Sequence, residues 1–256
     1  GFDAAELARA RAVRAFIVEH GLSKYNVDTR EPPRWASDGR EIVLVPGQVE
    51  DDASIRYGCA DVRSNLALLR AARAAHPDAF LVYKPHPDVL AGNRRKSAAE
   101  RAARAIADRV ETRHSVVACI EACTRVHTLT SLAGFDALLR GKPVTSHGRP
   151  FYAGWGLTDD RLPPLRPRRA LSLDELVAGT LLRYPLYRDP DLKGYTSCEA
   201  TLARLLERRE RELARHDSLT GLPNRAQLAE RLTSALNRAR ERDRHVAVLF
   251  LDVDDF

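Results

Sequence analysis

Short strand-like runs, two of them strongly apolar, separated by stretches of helical periodicity, constrain this chain more than any other feature. Glu41 to Val45 (EIVLV) is halted by Pro46 and Gly47. Ala79 to Tyr83 (AFLVY) follows the helix stop His76-Pro77-Asp78, and Arg125 to His127 is a brief third run. Between them, Ser64 to Ala75 turns Leu66, Leu68, Leu69 and Ala72 to one face, and Ser97 to Asp108 reads as an Ala/Arg-rich helix. Strand, loop, helix and strand in this alternation predict a parallel α/β layer fold.

The remaining elements fit around that frame. An amphipathic helix over Ala4 to Glu19 is closed by Gly21 to Asn26. Val116 to Ala122 is helical or extended, and Thr130-Ser131 caps a helix running through Leu139. From Thr201 to His216 the composition changes: Leu202, Leu205, Leu206 and Leu213 alternate with charges, as in an exposed or self-pairing helix that links two domains. A turn at Thr220 to Pro223, a helix to about Arg242 and a strand from Val246 to Leu251 complete the reading.

The chain's 256 residues allow one or two domains. With 44% hydrophobic and 30% charged residues it is expected to be soluble and globular, and no run approaches the roughly 20 apolar residues of a membrane span. Gly1 to Glu19 is charged throughout, unlike a secretory signal, and the absence of any Met suggests a piece of a longer protein. Cys59, Cys119, Cys123 and Cys198 make no CxxC pair; they read as small core residues in a reducing, cytoplasmic setting. The net charge of +6 is interleaved with acids, as at Glu100-Arg101 and Glu207-Arg208. A solvated Arg-rich surface with local sites for anions is therefore expected, not a nucleic-acid partner.

Four motifs carry chemistry. Pro46 to Ile55 (PGQVEDDASI) leaves a strand end, where open α/β sheets bind ligands, and holds Gln48, Glu50, Asp51 and Asp52. Three acids there fit either sugar-transfer chemistry or a solvated turn capping a helix from Ser54. Tyr83 to Val89 (YKPHPDV) fixes His86 between Pro85 and Pro87 with Lys84 beside it, a phosphate-binding arrangement or a Pro-rich turn. His127 to Val144 puts Thr130 and Ser131 at a helix start, where N–H groups attract phosphate as well as needing a cap. Gly148 to Arg161 (GRPFYAGWGLTDDR) is a close-packed Gly/aromatic loop that lines a site or serves structure alone.

These motifs, in this order from Leu22 to Pro190, resemble the capsular polysaccharide β-Kdo transferases. That resemblance implies one Rossmann-like lobe of a GT-B glycosyltransferase, the C-terminal lobe, over residues 1–198. CMP-Kdo would be the donor, a lipid-linked Kdo the acceptor, and transfer would retain the β configuration through a carboxylate nucleophile. Carried over by position, His86-Pro87 matches the HP element that contacts CMP, and Thr130-Ser131 matches the phosphate-binding helix start. Asp52 is the favoured catalytic carboxylate, with Glu50 and Asp51 as alternatives and Gln48 and Lys84 in support. No metal or other cofactor is implied for transfer. The family places such a protein in the cytoplasm, peripheral to the inner membrane. With acceptor-side residues of a first lobe missing, the chain is expected to bind CMP weakly without transferring Kdo.

A second resemblance begins at His216. HDSLTGLPNR, a helix and AVLFLDVDDF match the opening of the diguanylate cyclase GGDEF domain, a truncated α+β domain over 216–256, after a helical linker over 199–215 of the dimerising kind. In a complete GGDEF domain the residue matching Asp252 binds Mg²⁺ with help from the carbonyl of Val253. The competing function is a cyclic-di-GMP signalling protein in which the sugar-nucleotide lobe is a sensor.

Overall fold

The computed structural model describes residues 1–23, 31–86, 101–165, 169–189, 194–215, 222–241 and 244–248. Two compact units emerge, Gly1–Ala203 and Arg204–Phe256, dividing inside the expected linker.

The first unit is built on a six-stranded parallel sheet: β1 (Ile42–Pro46), β2 (Phe80–Lys84), β3 (Arg109–Val110), β4 (Arg125–Thr128), β5 (Val144–Ser146) and β6 (Asp159–Asp160). The order β3-β2-β1-β4-β5-β6 winds outward in both directions from β1. This is the doubly wound order whose switch point, here between β1 and β4, opens a crevice at the strands' carboxyl ends. All five pairings are parallel, with Pro46 opposite Lys84 and Leu44 opposite Val126.

Alternation along the strands separates two cores. Leu44, Phe80, Val82 and Val126 face α1 (Ala4–Glu19), α4 (Val116–Ala122) and α5 (Leu132–Leu139). Val43, Val45, Leu81 and Tyr83 face α2 (Ala53–Gly58), α3 (Asn65–Ala75) and a helical stretch at 101–104. Val116–Ala122, left open by the sequence, is helical because Ser115 accepts from the Ala118 N–H at 3.1 Å and starts it. Every helix from α2 to α5 has an oxygen-bearing N-cap: Asp52, Ser64, Ser115 and Ser131. Asp3 and Glu6 form a capping box on α1.

Beyond the sheet, α6 (Leu173–Val177) runs into a π-helical turn at Ala178–Arg183. Both pack on α1, tied by Arg11 and Arg14 to Asp174 and by Arg183 to Glu6 at 2.6 Å. An antiparallel hairpin of β7 (Tyr187–Asp189) and β8 (Gly194–Thr196) precedes α7 (Cys198–Arg215). The four cysteines are free and buried, and burial pushes the Cys119 and Cys123 thiols up to about 12, so they behave as small core residues. No helix among the described residues is long and apolar enough to cross a membrane.

In the second unit, α8 (Arg225–Glu241) is capped by Asn224, which accepts from the Gln227 N–H at 3.1 Å. The expected strand from Val246 is not formed at 246–248, and 249–251 lie outside the described residues. No neighbouring strand among those described offers it a ladder, and a lone strand is not stable in water.

Candidate functional site

The loops leaving β1, β2 and β4 at the switch point enclose a cleft of about 340 Å³, within the range of ligand sites. Pro46 to Gln48, Asp52 and Ser54 form one wall, Lys84, Pro85 and His86 a second. Ser115, Val116, Thr130 to Ala133 and Asp136 form the third. Of the residues singled out by sequence, Gln48, Asp52, Lys84, His86, Thr130 and Ser131 thus converge on one cleft. Glu50 and Asp51 do not line it, and Pro87 and Asp252 lie outside the described residues.

The chain leaves β1 through Gly47, where only hydrogen fits: an added Cβ would sit 2.8 Å from the Tyr83 hydroxyl oxygen and 3.2 Å from the His86 nitrogen. This close pass sets Gln48 facing Thr130. The Gln48 Nε2 group donates to Ser54 Oγ at 2.8 Å and Thr130 Oγ1 at 2.9 Å, while its Oε1 accepts from the Thr130 N–H at 3.3 Å. Asn65 holds the Gln48 backbone from behind, accepting from its N–H at 2.8 Å and donating to its carbonyl at 2.9 Å. Both polar side chains are buried, so each satisfied group avoids a penalty of about 1–3 kcal/mol.

The three acids part ways. Glu50 accepts from the Asn65 N–H at 2.7 Å and thereby serves the start of α3. Asp51 is exposed. Asp52 caps α2 by accepting from the Ser54 N–H at 2.8 Å and still lines the cleft, so capping and site-facing positions coincide in one residue.

Across the cleft, Ser131 is the N-cap of α5, accepting from the Ala133 N–H at 3.2 Å. Thr130 does not cap; its hydroxyl belongs to the Gln48–Ser54 cluster, 2.9 Å from Ser54 Oγ. The first N–H groups of a helix lack intrahelical partners and attract anions, so phosphate chemistry is available here, with Lys84 and His86 on the neighbouring wall.

The Gly/aromatic loop supports this helix start from behind. Tyr152 is fully buried and donates its hydroxyl to the Ser131 carbonyl at 2.6 Å. Phe151 packs edge-on to Phe135 and Tyr152. Gly148 and Gly58 let Thr130 pass, since added Cβ atoms would lie 2.7 and 3.1 Å from its methyl carbon.

Four contributors were not picked out from sequence: Ser54, Asn65, Ser115 and Asp136. The first three occupy helix starts, and Asn65 opens an otherwise apolar helix face, which is a readable signal. Asp136 sits within an apolar stretch, and burial pushes its carboxyl up to about 6. A buried imidazole row lies apart from the cleft: His127 Nδ1 is 3.2 Å from His147 Nε2, and its Nε2 is 3.1 Å from His76 Nε2. No group of side chains among the described residues is arranged to hold a metal ion.

Residues 28–187 match the capsule polysaccharide biosynthesis protein family, and residues 214–256 match the diguanylate cyclase GGDEF domain. The chain is 44% identical over 209 residues to LipA, the capsule polysaccharide modification protein of Neisseria meningitidis serogroup B (strain ATCC BAA-335 / MC58), covering 82% of this chain and 29% of LipA. It is 40% identical over 236 residues to LpsZ, the lipopolysaccharide-processing protein of Rhizobium meliloti, covering 91% of this chain and 51% of LpsZ. The chain therefore spans about half or less of the length of these curated relatives. Among solved structures it is similar to Thermosulfurimonas dismutans KpsC, a β-Kdo 2,7 transferase, with TM-score 0.69 and 39% identity over 81% of this chain and 63% of KpsC. The chain belongs to the capsule polysaccharide biosynthesis protein family and carries the opening of a GGDEF domain at its C-terminal end.

Proposed function

We propose that this chain supplies the sugar-nucleotide lobe of a GT-B glycosyltransferase that moves Kdo from CMP-Kdo to a lipid-linked Kdo acceptor with retention of the β configuration. The observation that carries this reading is that Asp52 and the α5 start at Ser131 line the same cleft. The resemblance to a β-Kdo transferase of known structure supports it.

In this reading the N–H groups at the start of α5, with Lys84 and His86, hold the phosphate of CMP and stabilise the charge that collects on it as it leaves. The Asp52 carboxylate attacks the anomeric carbon of Kdo, the bond to the CMP phosphate oxygen breaks, and CMP departs with the electron pair. An acceptor hydroxyl then attacks the same carbon, losing its proton to a base and returning the carboxylate. Two inversions give net retention. The capping bond from the Ser54 N–H orients Asp52, and Gln48 keeps Thr130 and the helix start in register. Glu50, committed to Asn65, and Asp51, which does not line the cleft, are the weaker candidates for nucleophile.

The enzyme would work in the cytoplasm, peripheral to the inner membrane, with no cofactor for transfer. The α7 helix would dimerise through Leu202, Leu205, Leu206 and Leu213, two of which, Leu205 and Leu213, are exposed. Asp252, with the Val253 carbonyl, would bind Mg²⁺ in a complete GGDEF domain. The GGDEF match favours a second reading, in which the lobe senses a nucleotide on behalf of a cyclase.

The test is CMP binding and Kdo transfer in the full-length gene product with Asp52→Ala and His86→Ala. His86→Ala is expected to weaken CMP binding, and Asp52→Ala to leave binding in place while abolishing transfer. Equal loss of CMP binding in both variants defeats the assignment, and CMP binding with no transfer by the wild type favours the sensor.

A further inference from the structure

Asp136 is the cleft-lining group for which the proposed chemistry has no use. It lies on α5 three and four residues after Ala133 and Leu132, so all three share one helix face, and all three line the cleft. The residue is only 7% exposed. Arg140, one turn further on, makes no hydrogen bond to the carboxyl and acts on it only through its charge: its NH1 donates to the Asp136 backbone carbonyl at 3.0 Å, and its Nε lies 3.7 Å from Glu121. Among the described residues no hydrogen-bond donor meets the Asp136 carboxyl. A nearly buried carboxyl that no donor meets is costly, and one that lines a cleft is placed to receive a donor from whatever binds there.

We propose that Asp136 reads the nucleoside of the bound nucleotide, its carboxylate accepting a hydrogen bond from a sugar hydroxyl or from the exocyclic amino group of the base. This rests on the reading of the cleft as a nucleotide site. Two arguments fix the class of ligand. Phosphate is excluded as the partner because two anions repel without a cation between them, so the ligand atom is a neutral donor. Position gives the second: Asp136 lies five residues beyond Ser131, about 7.5 Å along the helix at 1.5 Å per residue. A nucleotide with its phosphate at the helix start therefore brings its nucleoside, not its phosphate, within reach of Asp136. Burial holds the free carboxyl up at about 6, and a donor arriving on it favours the ionised form.

The experiment is calorimetric titration of the chain with CMP, UMP and 2′,3′-dideoxy-CMP, using wild type, the isosteric Asp136→Asn and Asp136→Ala. Wild type is expected to prefer CMP over at least one analogue by about tenfold, and Asp136→Ala to lose about tenfold in CMP affinity. In Asp136→Asn one preference collapses: loss of the CMP-over-UMP preference assigns the base amino group, and loss of the CMP-over-dideoxy preference assigns the sugar. Near pH 6, where the CMP phosphate itself also titrates, wild type releases more protons on binding CMP than Asp136→Asn does, seen as a stronger dependence of the enthalpy on the buffer. The proposal is overturned if both variants bind CMP like wild type, if wild type prefers CMP over neither analogue, or if the variants lose all three ligands equally. Wild type that binds no CMP at all defeats the nucleotide reading of the cleft instead.

Discussion

Gln48 and Thr130 clasp each other across the switch point of the sheet, the Gln48 amide donating to the Thr130 hydroxyl at 2.9 Å and accepting from the Thr130 N–H at 3.3 Å. One residue leaves β1 and the other leaves β4, so this pair ties together two of the loops that line the cleft. Gln48→Ala removes both bonds and the one to Ser54, leaving the half-buried Thr130 N–H without its side-chain acceptor. The expected loss is about 2 kcal/mol in stability and about tenfold in CMP affinity. Gln48→Glu keeps an acceptor for the Thr130 N–H but loses both donors and adds a negative charge, so it should bind CMP less well than Gln48→Ala. Equal CMP affinity in the two variants and wild type would show that the clasp does not shape the site.

Much of this was legible in the chain, and the limits have physical causes. The apolar runs at EIVLV and AFLVY announced β1 and β2, displaced by one residue, because strands buried on both faces are dense in branched side chains. Leucine periodicity marked α3, and the Thr130-Ser131 cap marked α5. Strand order was not readable, since nothing local to β1 says that β2 and β4 flank it. Nor could sequence separate Glu50, Asp51 and Asp52, because which acid faces the cleft depends on where α2 and α3 begin. Asp136 was hidden for a related reason: in an apolar helix face a lone acid reads as a solvated position, and only tertiary packing buries it.

Gly134 and Tyr152 form the tightest contact behind the site. An added Cβ at Gly134 would lie 2.2 Å from the Tyr152 hydroxyl oxygen, 2.7 Å from its Cζ and 3.0 Å from the Thr128 methyl carbon. Gly134→Ala should destabilise the first unit by about 3 kcal/mol, beyond the usual gain of alanine in a helix. Tyr152→Phe alone loses the bond to the Ser131 carbonyl. In the double variant the nearest clash disappears while the ring remains, so the two changes should couple by about 1 kcal/mol. Additive losses in urea unfolding would count against this packing.

Glu111 is expected to be the most sensitive acid outside the cleft. Its carboxylate accepts from Trp35 Nε1 at 3.1 Å and from the Arg113 and His114 N–H groups at 2.8 and 3.3 Å. These bonds outweigh the cost of burial and hold it down at about 2. The anchored loop delivers Ser115 to the cleft. Glu111→Gln exchanges a charge-assisted acceptor for a weaker one and should lower stability by about 2 kcal/mol, with a smaller loss in CMP affinity. A variant as stable as wild type would mean the loop is held elsewhere.

Acid stability pits the buried histidines against Asp136. Burial, then the neighbouring His147 and His76, hold His127 down at about 3; burial and Arg161 hold His147 down at about 4, with Asp159 opposing. Glu41 and Arg125 face the same row, Glu41 lying 3.2 Å from His76. Because the unfolded chain protonates these imidazoles near 6.5 and the folded chain does not, stability is full above that pH and falls as pH drops toward 4. Asp136 works the other way: its folded value near 6 exceeds the unfolded 3.8, so stability is lost as pH rises through that window. Between pH 7 and 5 wild type should therefore lose about 2 kcal/mol, less than the two imidazoles alone would cost. Asp136→Asn, stripped of the opposing contribution, should lose about 1 kcal/mol more over the same interval. Trp35 and Trp155, the two tryptophans of the chain, both lie in the first unit, so their fluorescence during urea unfolding reads it directly. Parallel acid profiles for wild type and Asp136→Asn would show that Asp136 does not titrate in this range.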